Sequence, residues 1–338
     1  MIIVTGGAGF IGSNIVKALN DRGRTDILIV DDLTDGRKIR NIQNLEFLDY
    51  IDCDDFDCAI ADGTFDVGPI EVVFHEGACA DTMEYNGKYM MKNNYEGSKN
   101  LFHYCQDRRI PFIYASSAST YGNGTNGFVE KPEAEEALNP YAYSKLLFDR
   151  YVRKYEGEYT AQVVGLRYFN VYGPNEAHKD KMASLVRQMF YKNKETGIIN
   201  LFEGTDGYED GGQTRDFIYV KDVVNVNFYF WEHPEISGTF NCGTGNAHSF
   251  NQFMQAVIDY NGKGKIEYIP FPEVLKGKYQ SFTEADTTKL LAAVMIKGSI
   301  KWKMLLKNIV NYSIITKGTY VNAQSIIFRS RWCYQQRC

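Results

Sequence analysis

The sequence predicts an α/β protein, a doubly wound parallel sheet flanked by helices, with a smaller mixed α/β lobe beside it. Three observations predict this. A short apolar run, MIIV, leads into the glycine-rich turn TGGAGFIG and then into apolar residues at helical spacing, Phe10, Ile11, Ile15 and Leu19. Further apolar runs, DILIVDD, EVVFHEGA (71–78) and PFIYASSASTYG (111–122), recur with helical stretches between them, as parallel strands require. Finally, a chain of 338 residues that is 44% hydrophobic has enough apolar content for one large domain or two smaller ones.

Charge and cysteine usage narrow the class. With 37 basic and 42 acidic residues the net charge is −5, which argues against a nucleic-acid binder held mainly by phosphate contacts. The seven cysteines (Cys53, Cys58, Cys79, Cys105, Cys242, Cys333 and Cys338) are dispersed and form no C-x-x-C pair. Neither a disulfide framework nor a zinc site is indicated, and a reducing cytoplasm is expected. The chain opens on a strand without a basic and apolar leader, so no export signal is expected. No run reaches the ~18 apolar residues of a membrane-spanning helix.

At the glycine turn, Gly7, Gly9 and Gly12 fit G-x-G-x-x-G, and Gly6, Gly9 and Gly12 fit G-x-x-G-x-x-G. In either register the missing side chains let backbone close on a pyrophosphate at the positive end of a helix, the signature of a Rossmann-like dinucleotide site. The second strand ends at Asp31, 19 residues after Gly12, where a carboxylate bonds the adenosine ribose hydroxyls and reads as NAD. Arg37 and Lys38 follow in the next loop, and a cationic pair there suits a ribose 2′-phosphate and hence NADP. The motif leaves both nucleotides open. Gly77, Ala78, Ser116 and Ser117 fall at strand ends, where such sheets bind ligands. His75 and Glu76 begin like a zinc-binding H-E-x-x-H, but the fifth residue is Cys79. His75 therefore reads as a buried strand-end histidine, and no metal is expected.

The heptapeptide NPYAYSK (139–145) starts a helix, with Asn139 as N-cap and Pro140 in the first turn. A tyrosine acting as general base needs a cation nearby, because its reference pKa is ~10. Tyr141 and Lys145, four residues apart, share a helix face, whereas Tyr143 points elsewhere. The spacing selects Tyr141, with Lys145 favouring the phenolate and Ser117 polarising the reacting oxygen. The other Y-x-x-x-K pair, Tyr95 and Lys99, reads as an ordinary surface pair.

With these residues in place, the chain resembles the extended short-chain dehydrogenase/reductases and, within them, the ADP-glyceromanno-heptose 6-epimerases of lipopolysaccharide precursor synthesis. The match runs from Met1 to about Ala293 through FHEGACA, KYMMKNNYEGSK, YASSASTYG, YSK, RYFNVYGPNEAHK, LFEG, RDFIYVKDV and IEYIPFPEVLKGKYQSFTEAD. The resemblance implies a soluble homo-oligomer, a pentamer, that interconverts the C6 epimers of an ADP-heptose with bound NADP, NAD being the alternative. It implies a second acid/base group at Lys179, the lysine of EAHK. On the cofactor it implies Gly6, Gly9, Phe10, Ile11, Gly12, Asp31, Asp32, Lys38, Glu76, Gly77, Ala78, Cys79, Asn93, Lys145 and Val171. On the substrate it implies Asn170, Lys181, Gln188, Phe202, Glu203, Gly204, Thr205, Arg215 and Tyr279, with Arg215 a bidentate clamp for the diphosphate.

Several positions depart from that pattern. Asp32 replaces an asparagine and Cys53 a lysine, both of which weaken the NADP reading, and Lys181 and Gln188 stand for a serine and a histidine. The insert DGYEDGGQT (206–214) reads as a tolerated surface loop. Composition also breaks near the end: from Thr287 onward there are nine basic residues and no Asp or Glu, against 28 basic and 42 acidic before it. This predicts a shifted reading frame near Ala293–Met295, the rival being a basic tail for an acidic surface. The expected division is a cofactor lobe of residues 1–170 and 214–245, a substrate lobe of 171–213 and 246–294, and the anomalous tail 295–338. Two other functions share much of this pattern: a UDP-sugar 4-epimerase or another nucleotide-sugar enzyme of the same type, and a non-catalytic NADP-binding protein.

Overall fold

The computed structural model describes residues 1–275 and 279–296; most of the anomalous tail lies outside them. Each of the four apolar runs read as strands forms one, β1 (Ile2–Thr5), β2 (Ile27–Asp31), β4 (Val72–His75) and β5 (Phe112–Ser117), and the structure adds β3 (Asp49–Asp52) and β6 (Val163–Tyr168). Together with β11 (Gly238–Cys242) they make a seven-stranded parallel sheet in the order β11-β6-β5-β4-β1-β2-β3. The strand order reverses beside β1, which places a ligand crevice at the carboxyl ends of β1, β2 and β4. This is a Rossmann-like fold.

The strands are apolar on both faces because helices cover both. Ile2, Val4, Ile27 and Ile29 pack on one side with the helices Phe10–Asn20 and Val220–Glu232. Their alternating neighbours Ile3, Leu28 and Val30 pack on the other with Cys53–Ala61, Gly97–Arg108 and Pro140–Arg153. Each fully buried aliphatic side chain contributes roughly 1.5–3 kcal/mol.

The second lobe is smaller. Strands β8 (Ile198–Phe202) and β13 (Lys265–Ile269) pair in parallel, covered by the helices Leu185–Thr196 and Phe250–Asn261 around Ile199, Leu201, Phe253 and Met254. Two short pairs lie at the crossing between lobes: β7 (Asn170–Tyr172) with β10 (Phe217–Tyr219), parallel, and β9 (Thr214–Arg215) with β12 (His248–Ser249), antiparallel. The helix Thr288–Ile296 was expected in the substrate lobe. Instead, Leu290 and Val294 join the core that contains Phe230 and Phe240, so this helix packs on the sheet lobe. Among the described residues no helix is long and apolar enough to cross a membrane.

Candidate active site

The first helix begins at Phe10 with Gly9 as its N-cap and no side-chain cap, so its leading N–H groups face the crevice. The glycines before it have no room for side chains. Gly6 has φ +65, and a Cβ there would lie 2.7 Å from the Gly77 nitrogen; a Cβ on Gly12 would lie 2.1 Å from the Gly6 oxygen. Gly12→Ala is accordingly expected to force the turn open, lowering stability by about 1–3 kcal/mol and weakening nucleotide binding. An unchanged denaturation midpoint and nucleotide affinity would show that the turn adjusts freely.

At the end of β2, the Asp31 carboxylate accepts the Ala8 N–H at 2.8 Å and the Lys38 ammonium at 2.8 Å. Beyond β4, Glu76 accepts the Tyr168 hydroxyl through Oε1, while its Oε2 is buried without a partner. Burial raises the Glu76 carboxyl to about 7, against the Tyr168 bond and the Lys145 charge. His75 is the buried histidine expected, bonded to Thr5 at 2.7 Å and Ser98 at 2.8 Å and held neutral by burial, with a pKa of about 3. The glycine cradle, the uncapped helix, Asp31 and the orphaned Glu76 oxygen together fit a dinucleotide.

Asn139 caps the helix Pro140–Arg153 by accepting the Ala142 N–H at 2.8 Å. Tyr141 is half-buried at the crevice, whereas Tyr143 is 48% exposed on the outer surface, so the helix register decides between them as the spacing predicts. Burial pushes Tyr141 above its ordinary pKa, and its bond with the Ser117 hydroxyl works the other way. Lys145, one helical turn on, is also held by the sheet. Its ammonium donates to the Ala115 carbonyl at 2.8 Å, and burial lowers its pKa to about 8, opposed by Glu76 and Asp149. Tyr95 and Lys99 form the surface pair foreseen, with Lys99 also bridging Glu96 at 2.6 Å.

Lys179, in the helical turn Ala177–Met182, is brought to the same crevice: its ammonium lies 5.8 Å from the centre of the Phe10 ring, and burial lowers its pKa. That turn is tied to the loop after β2. Arg37 donates to Asp180 at 2.7 Å and to the His178 carbonyl at 3.1 Å, and Asn41 donates to the Asn175 carbonyl at 3.2 Å.

A second group gathers in the smaller lobe. The Arg215 guanidinium, 8% exposed, lies 4.9 Å from the Tyr279 ring centre and 5.4 Å from that of Phe250. It donates to the Thr214 carbonyl and makes no ion pair among the described residues. Asp216 accepts from Thr244, Gly245 and Ala285, and Asp210 from Gly204. Burial lowers the Arg215 pKa, opposed by Tyr279. Phe202 stacks edge-on with Tyr279, and Asn170 bonds Thr283 at 3.0 Å. The insert 206–214 contributes Asp210 to the turn at Gly204, so it shapes the run from Glu203 to Thr205.

Other predicted residues are less engaged. Asn93 donates to the Tyr89 carbonyl, Gln188 to the Lys181 and Ala183 carbonyls, and Lys181 is exposed; Val171 is half-buried against the sheet-lobe core. Sequence reasoning missed Asn94, which is 1% exposed. Its amide grips the backbone of Cys79 in both directions, at 2.8 and 2.9 Å, and donates to Ser144 at 3.0 Å beside Lys145. A π-helical turn at Lys92–Glu96 aims it there, and consecutive asparagines give no sign of that register.

This architecture defines an enzyme that binds a nicotinamide dinucleotide, with titratable side chains at its crevice. The chain belongs to the NAD dependent epimerase/dehydratase family, whose signature matches residues 2–243. It is 58% identical over 293 residues to an ADP-L-glycero-D-manno-heptose-6-epimerase of Alkalilimnicola ehrlichii, covering 87% of this chain and 91% of that one. The crystal structure of the Helicobacter pylori ADP-L-glycero-D-manno-heptose-6-epimerase is similar, with a TM-score of 0.73, 29% identity and coverage of 86% of this chain and 88% of that one. A Thermus thermophilus UDP-glucose 4-epimerase in complex with NAD is similar with a TM-score of 0.68 and 26% identity, over 87% of this chain and 92% of that one.

Proposed function

We propose that this chain interconverts ADP-D-glycero-D-manno-heptose and ADP-L-glycero-D-manno-heptose, supplying a precursor of the lipopolysaccharide core in the cytoplasm. The observation that supports it most is the presence of two separate acid/base candidates at one dinucleotide crevice, Tyr141 on Ser117 and Lys179 over Phe10, in a chain 58% identical to a heptose 6-epimerase. Assembly as a homo-pentamer belongs to the same reading.

The C6 hydrogen of the heptose is not next to a carbonyl, so removing it as a proton is too costly. A nicotinamide supplies reversible hydride acceptance at that carbon without net oxidation. NADP is the nucleotide that the family resemblance implies, with Lys38 offered to its 2′-phosphate. The residues that would hold the cofactor are Gly6 to Gly12, Asp31 and the run Glu76–Cys79, with Lys145 beneath Ala115.

Everything else falls to the chain. The oxygen on C6 points in different directions in the two epimers, so one proton carrier cannot serve both. Tyr141 Oη exchanges the hydroxyl proton of one epimer, with Ser117 donating to the same oxygen. Lys179 Nζ exchanges it for the other, and its lowered pKa makes the neutral amine accessible. Arg215 binds the diphosphate, and Asn170, Phe202 to Thr205 and Tyr279 orient the sugar nucleotide.

Incubating the purified chain with ADP-D-glycero-D-manno-heptose should yield the L-glycero epimer by chromatography. No conversion by folded protein supplied with NADP and NAD, or turnover of UDP-glucose instead, would overturn the proposal.

A further inference from the structure

The adenosine end of the cofactor crevice is richer in carboxylates than the glycine motif discloses. Asp31 and Asp52 are register partners at the carboxyl ends of β2 and β3. Asp31 is 5% exposed, and the Tyr50 hydroxyl pins its carbonyl at 2.8 Å. Asp32 accepts the Thr34 N–H at 2.7 Å, and hydrogen bonds from the Thr34 side chain and backbone hold its carboxyl below the usual range. Cys53 opens the next helix between Asp52 and Asp54; burial raises its thiol to about 11, and Asp52, Asp54, Asp32 and Asp57 all add to the shift.

The cations of this corner are already committed. Arg37 closes on Asp35 at 2.8 Å and on Asp180 with both oxygens at 2.7 Å. Freeing it would undo the tie to the turn that carries Lys179. The Lys38 ammonium is shared between Asp31 Oδ1 at 2.8 Å and the Asp32 carbonyl at 2.9 Å.

A ribose 2′-phosphate carries close to two negative charges and needs cations it can claim. A ribose 2′-hydroxyl needs only an acceptor, and each Asp31 oxygen has a second lone pair beyond the bond it accepts. We infer that the adenosine-ribose corner formed by Asp31, Asp32, Asp52 and Cys53 selects NAD over NADP, against the expectation from family resemblance. The inference rests on the proposed cofactor site and specifies which nucleotide it takes.

Direct binding tests it without turnover. The full-length chain, stripped of nucleotide, is titrated separately with NADH and NADPH while the fluorescence of the bound reduced nicotinamide is followed. NADH should bind at least about tenfold more tightly, the factor worth 1.4 kcal/mol. NADPH binding as tightly or more tightly would overturn the preference and leave the cofactor site standing; binding of neither would sink both. In the double variant Asp32→Asn, Cys53→Lys, the affinity ratio should move at least about tenfold toward NADPH. A ratio unmoved in folded protein would refute the electrostatic cause.

Discussion

Tyr141→Phe is expected to slow epimerisation at least about a hundredfold while leaving folding and nucleotide binding intact, since a positioned general acid or base contributes typically 10²–10⁴. The hydroxyl removed bonds to Ser117, which keeps a partner in Ser119 at 2.9 Å, so little packing is lost. Lys179→Met should produce a loss of similar size from the other side of the crevice. In the proposed scheme the two act on different epimers, so removing either blocks the full interconversion, and the double variant should be little slower than the slower single one. Rates in both directions, with denaturation midpoints and NADH affinities measured alongside, check this. Both single variants retaining full activity would refute the two-carrier scheme.

The burial of both groups sets the pH dependence. Lys179 titrates below its ordinary range, so the neutral amine gains population as pH rises toward alkaline values, while burial keeps the Tyr141 phenol protonated over the same range. Activity limited by the neutral Lys179 amine should therefore rise with pH. Lys145, at about 8, changes charge in that window too. Its bond to the Ala115 carbonyl fixes it at the sheet edge.

What the sequence disclosed follows from range. The strands at residues 2–5, 27–31, 72–75 and 112–117 were legible because their apolar runs are local, and so was the cap at Asn139, an interaction over three residues. Choosing Tyr141 over Tyr143 needed only helical periodicity. Lys179 is indicated by resemblance alone, because its approach to Phe10 spans the two lobes and no local pattern encodes it. The same holds for Arg37: a loop cation beside a ribose site reads as a phosphate ligand until Asp180, 143 residues away, is seen to hold it. Asn94 was hidden by a helical irregularity. The helix Thr288–Ile296 was misassigned because proximity in sequence to the second lobe says nothing about the face on which Leu290 and Val294 pack. The proposed frame shift concerns residues mostly outside those described, so it remains a proposal from composition.

Arg167→Met is expected to destabilise the fold by about 3–5 kcal/mol, the cost of breaking a buried ion pair from one side. Arg167 is wholly buried between two carboxylates, donating to Asp149 at 2.9 Å and to Glu135 at 2.6 Å, with its guanidinium 4.8 Å from the Tyr121 ring centre. Asp149 also accepts from Tyr114 at 3.0 Å and Ser116 at 2.9 Å, and it lies on the helix that carries Tyr141 and Lys145. The network thus fixes that helix against β5 and β6, and Ser116 adjoins Ser117 in the active site. Methionine would fill much of the space but leave Asp149 without its Arg167 ion pair. Burial opposes the charged form of Glu135, yet Arg153 and Arg167 together hold its carboxyl below the usual range. A carboxyl depressed on folding contributes stability that is present above its unfolded pKa of about 4.3 and is lost as pH falls through the lower folded value. The variant should therefore show a lower denaturant midpoint at neutral pH and a shallower loss of stability on acidification. Replacing the triad together, Arg167→Met with Asp149→Leu and Glu135→Gln, should recover part of the deficit, because the cost lies in the stranded charges. A single variant within about 1 kcal/mol of the parent would mean that Asp149 and Glu135 find water or protons when Arg167 is gone. The helix bearing Tyr141 would then be held by its apolar face alone.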